Sequence, residues 1–141
     1  VSSSKTPENN CRFRSISIDI YLMIIVYWVS TTLLTLILSL SAASYLWSAS
    51  AIAGIKDLGF PDHFRLMLAV LKLLAALAII IPVVPLPVKD WAYAGAFFFF
   101  VTAIVAHFAH RDPIGLNLLN LCFIALLFVS YYLTHKLSAT S

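Results

Sequence analysis

An all-α integral membrane protein, folded as a four-helix bundle with a short polar N-terminal extension, is the fold class this sequence predicts. Three observations carry it. Of 141 residues, 62% are hydrophobic and only 11% charged, and the mean hydropathy of +0.97 exceeds what a soluble domain of this size can hide in its core. The apolar residues gather into four segments: roughly Ile18 to Leu40, running on toward Trp47; Phe64 to Val84; Trp91 to Ala109; and Leu116 to Leu133. Each approaches the ~20 residues that cross ~30 Å of hydrocarbon as a helix. They are too continuously apolar, and alternate too little, for strands with a lumen-facing side.

The elements follow in order. Residues 1–15 form a polar tail with Pro7, Glu8, Asn9 and Asn10, expected as a loose extension or a partner contact. Residues 16–135 form the transmembrane domain and residues 136–141 a short C-terminal tail. The first apolar segment is long and lacks a nearby small-residue cleavage pattern, so it reads as a span and not as a signal peptide. Ser15 or Ser17 is the expected cap of the first helix, with Asp19 in its first turn, where exposed amides favour a carboxylate. Residues 39–57 are mixed: six Ser and Tyr positions from Ser39 to Ser50 interrupt Leu40, Leu46, Trp47, Ile52 and Ile55. They either complete a long or kinked first helix, which is the expected form, or turn at the interface as a short surface helix.

Gly59, Phe60 and Pro61 form a turn, and Asp62 and His63 enter the second span. Pro82, Pro85 and Pro87 remove three amide donors within six residues, which breaks that helix and leaves a short link. Asp90 is placed to cap the third span, and Asp112, Pro113 and Gly115 separate it from the fourth. Such short connections make the last three helices adjacent and antiparallel. Tyr21, Trp91, Tyr93, Tyr131 and Tyr132 fall on one side and fit an interfacial aromatic belt.

Four spans put both termini on one side. That side carries Lys5, Arg12, Arg14, Lys89 and Lys136, and the other Lys56, Arg65 and Arg111, a bias toward cytoplasmic termini in a bacterial inner (cytoplasmic) membrane. The net charge of +3 calls for no nucleic-acid partner and suits anionic lipid headgroups. Membrane lipids and other membrane protein subunits are the expected partners.

One residue departs from this pattern. Lys72 is the only charge after Arg65 in the second span, and an ammonium at that depth costs several kcal/mol unless it faces a protein interior, a wet cavity or a charged partner. Its Cα–Cβ vector points toward the helix N-terminus, so it leans toward the side of Pro61 and Arg111. His107 lies near that side on the third span. A polar intramembrane site of Lys72, His107, Tyr45 and Ser44 is the candidate, with His110, Arg111 and Asp112 as a polar cluster nearer the loop. Each has a plainer reading. Lys72 can fix packing through carbonyls or snorkel, the histidines can bond loop backbone, Asp112 can pair with Arg111 or cap the next turn, and the serines can bond preceding carbonyls.

No catalytic residue is assigned. Cys11 and Cys122 are isolated, with no C-x-x-C pair, and no phosphate loop, dinucleotide fingerprint or G-x-S-x-G turn occurs. Two histidines without further ligands make neither a zinc nor a haem site, so no metal is expected.

Gly59-Phe60-Pro61, Lys72-Leu73-Leu74, the proline-rich break, and Lys89-Asp90-Trp91-Ala92-Tyr93-Ala94-Gly95 followed by His107 and Asp112 together resemble the DoxX-like family of small bacterial membrane proteins, over roughly residues 20–135. The resemblance implies a four-helix membrane protein. Its DoxX relatives are small subunits associated with thiosulfate:quinone oxidoreductase, which implies quinone as the cofactor to consider. Two functions follow: an accessory or structural subunit of a larger membrane complex, or a quinone-binding component of an oxidoreductase in which Lys72 or His107 hydrogen-bonds a quinone oxygen. A small transporter is a third reading, although no internal repeat or discontinuous helix pair is evident.

Overall fold

The computed structural model describes residues 7–140, with side chains from Arg14 onward. Five helices follow one another: α1 (Pro7–Trp47), α2 (Ala49–Asp57), α3 (Asp62–Ile80), α4 (Leu86–Ala109) and α5 (Ile114–Ser138). Four of them, all but α2, are long and apolar enough to cross a membrane. α1 packs on α3 and α5, and α4 packs on the same two. The spans therefore form a closed ring in which α1 stands opposite α4. Short links after α3 and α4 impose the antiparallel order.

The first helix begins at Pro7, well ahead of the expected boundary near Ile18. Residues 1–6 of the expected tail lie outside the described residues, as does the side chain of Cys11. Ser15 and Ser17 consequently sit inside α1 and do not cap it. At the other end the helix runs unbroken to Trp47, stops at Ser48, whose backbone is extended (φ −83°, ψ 116°), and resumes as α2. The mixed segment thus divides: residues 39–47 complete the first span, and residues 49–57 form a short helix against α1 and α3.

α2 closes with Gly59 at φ 82°, while the Phe60 amide reaches back to the Ile55 carbonyl (3.2 Å). A left-handed residue after a helix is the usual means of satisfying its last carbonyls, and glycine adopts it without a Cβ clash. Pro82 and Pro85 occupy the link after α3, and Pro87 stands in the first turn of α4. Asp90 does not cap α4, which starts at Leu86; its carboxylate pairs with His135 Nε2 at 2.7 Å.

The core is small: Leu34, Leu38, Ala76, Ile79, Tyr93, Ala96, Phe100 and Leu127. Most other apolar side chains face outward, as expected where lipid replaces water. Trp91 (83% exposed) and Tyr132 fit the expected belt, whereas Tyr93 is 2% exposed and belongs to the interior. Its hydroxyl meets Ser130 Oγ (2.8 Å) and Thr134 Oγ1 (3.0 Å), and Ser130 meets Thr31 Oγ1 (2.9 Å). These hydroxyls tie α1, α4 and α5 together in the half of the bundle nearest the Pro82–Pro85 link.

Candidate functional site

The other half holds a cavity of about 880 Å³ between α1, α2, α3, α4 and α5. Lys72 reaches it from α3. Ten residues beyond Asp62, its Cα lies ~15 Å along the helix. The side chain leans back toward the α3 N-terminus, as the Cα–Cβ direction requires. Lys72 is 5% exposed. Its Nζ donates to Ser41 Oγ at 2.8 Å and lies 3.9 Å from the centroid of the Tyr45 ring and 5.4 Å from that of Phe99. Ser41 and Tyr45 are one turn apart on α1, so both fall on the face turned to α3. The ring faces offer the ammonium their negative quadrupole.

Tyr45 is held from behind. The Arg65 guanidinium donates to the Tyr45 carbonyl, one of the last carbonyls of α1 and therefore without an intrahelical partner. Arg65 Nε also lies 3.6 Å from Asp62 Oδ1. The arginine thus joins the end of α1 to the start of α3, the two segments that bring Tyr45 over Lys72.

His107 and Asp112 line the side of α4. His107 Nδ1 and Asp112 Oδ2 are 2.8 Å apart. The contact depends on the chain's turn after α4, where Arg111 takes φ 56° and the Asp112 amide donates to the His107 carbonyl at 3.0 Å. Asp112 therefore neither pairs with Arg111 nor caps α5, whose N-cap is Pro113. When Nδ1 carries the proton toward the carboxylate, Nε2 is the nitrogen left to accept.

Of the residues singled out from sequence, Lys72, His107, Tyr45 and Ser44 all line this cavity, as do His110 and Asp112; Arg111 is exposed and does not. Ser44 also donates to the Ser41 carbonyl (2.8 Å), the plainer role foreseen for it. Three residues were missed. Ser41 stood only among the serines of residues 39–57, and Phe99 and Asn120 were not singled out. Asn120 is buried in the cavity wall, where its Nδ2 donates to the Leu116 carbonyl at 3.0 Å. A polar amide within an apolar span was the signal available for it. Among the described residues, no three His, Cys, Asp or Glu side chains gather to hold a metal.

The profile of the DoxX-like family matches residues 29–130, which takes in all of these side chains. The chain belongs to the DoxX-like family. No curated protein and no solved structure matches it. The DoxX-like match begins at Val29 and leaves out the N-terminal half of α1.

Proposed function

We propose that this DoxX-like protein is an accessory subunit of a larger membrane assembly and holds a small, largely apolar molecule within its bundle. The observation that carries this reading is the cavity itself. Its volume of about 880 Å³ falls in the range of small-molecule sites, ~300–1,000 Å³, and its few polar groups converge among apolar walls in the way such sites fix orientation. Association with other subunits is supported by α1. The part of α1 from Arg14 to Trp47 has 34 residues, ~51 Å of helix against ~30 Å of hydrocarbon. Even at a tilt of ~40°, the upper end for membrane helices, a helix of that length extends past the hydrocarbon. Ile16, Ile18, Tyr21, Leu22 and Ile25 are exposed along it, a surface that suits a protein neighbour. The membrane proposed is the bacterial cytoplasmic one, with both termini on the cytoplasmic side.

A second reading, a quinone-binding component of an oxidoreductase, is favoured by one arrangement: Lys72 as a donor to a quinone oxygen, with the His107–Asp112 pair beside the same cavity for a proton. Native purification separates the two. Recovery in a stable stoichiometric complex supports the subunit reading. Isolated protein that carries quinone and passes electrons to it supports the other. Isolated protein with neither partner nor bound molecule rejects both.

A further inference from the structure

We infer that the occupant of the cavity is a small organic acid with a mostly apolar body, its acid group set against Lys72. This rests on the reading of the cavity as a ligand site and narrows its occupant from any small, largely apolar molecule to one that carries an acid group.

The argument starts from the valence of Lys72. An ammonium has three donors and no acceptor. Here one hydrogen goes to Ser41 and the charge rests against two aromatic faces. Among the described residues no carboxylate pairs with it: the ion pairs involve Lys56, Arg65, His107 and His135. Charges buried at this depth are paired or line a site for something that pairs with them.

The other titratable groups facing the cavity do not fill that role. Asp57 is exposed on α2, Asp112 is taken by His107, His110 is exposed, and Tyr45 offers its ring to the ammonium. The two hydrogens left on Nζ match the two oxygens of a carboxylate, while Leu38, Phe99, Phe100 and Phe123 supply walls for an apolar body. A neutral carbonyl compound would accept a hydrogen bond and leave the charge uncompensated. A phosphate-headed lipid offers the same acid chemistry as a carboxylate, so the test contains both.

The full chain in lipid nanodiscs is titrated calorimetrically with decanoate, decyl phosphate, methyl decanoate and decylubiquinone, with empty discs as the blank. The expected result is binding of at least one of the two acids, the tighter naming the acid group, with methyl decanoate weaker by about tenfold or more, the scale of one charge-assisted hydrogen bond. Lys72→Met should erase that difference and Lys72→Arg should keep it. Methyl decanoate or decylubiquinone binding as tightly as both acids overturns the anionic occupant and leaves the cavity reading standing. Binding by none of the four overturns both. The acid–ester comparison uses the unaltered chain, so it holds even if Lys72→Met fails to assemble.

Discussion

The two halves of the bundle each bury polar groups and treat them oppositely. In the half of Tyr93, four hydroxyls of α1, α4 and α5 answer one another within 2.8–3.0 Å. In the half of Lys72, a cation with a single hydroxyl partner borders a cavity. The first arrangement closes on itself and adds cohesion, as hydrogen bonds between transmembrane helices do. The second leaves bonding capacity unspent beside open space. Polarity in a membrane interior is therefore informative only after its partners have been counted.

The contrast can be broken from either side. The largest effect is expected from Tyr93→Ala, which removes a core ring and two hydroxyl contacts and should cost about 3–5 kcal/mol of stability, read by denaturant unfolding in micelles, with ligand binding unchanged where the fold survives. Lys72→Met should do the reverse, lowering acid affinity by about tenfold or more and leaving the unfolding midpoint unchanged or raised, because an uncompensated charge has gone. A Lys72→Met protein that unfolds as readily as Tyr93→Ala would show that both halves are structural. Tyr93→Phe keeps the ring and should cost about 0.5–1.5 kcal/mol, because Ser130 keeps Thr31 and Thr134 keeps the Ser130 carbonyl as partners. The smallest effect is expected from Arg111→Gly. It releases the penalty of a left-handed non-glycine residue, ~1–2 kcal/mol at most, partly offset by the entropy glycine loses on folding, and should keep the His107–Asp112 contact, checked by NMR of the imidazole.

The two halves also differed in how far the sequence revealed them. Lys72 announced itself as one charge in an apolar span, and its lean toward His107 followed from helix geometry alone. The spans were legible for the same reason, since hydropathy over ~20 residues is a local signal. The hydroxyl cluster was not. Tyr93, Ser130, Thr134 and Thr31 meet across sequence separations of 37, 41 and 99, and helical periodicity orders each face without saying which face it will meet. Tyr93 was read as a belt residue because Trp91 two positions earlier is one. The partners of Asp90 and Asp112 were missed on similar grounds. Capping is a local rule, but His135 lies 45 residues from Asp90, and Asp112 reaches His107 only through the left-handed turn at Arg111. The break at Ser48 carries no proline or glycine to mark it.

α2 has nine residues, none of them buried, joined to α1 through Ser48 alone, yet Ser50, Ala51, Gly54 and Ile55 supply one side of the cavity. Segments with few buried contacts open at far lower free energy than the cores they adjoin. Opening of this short helix would therefore uncover the cavity at a lower cost than unfolding of the four spans. A substitution on α2 is therefore expected to alter access to the cavity while leaving the stability of the spans unchanged.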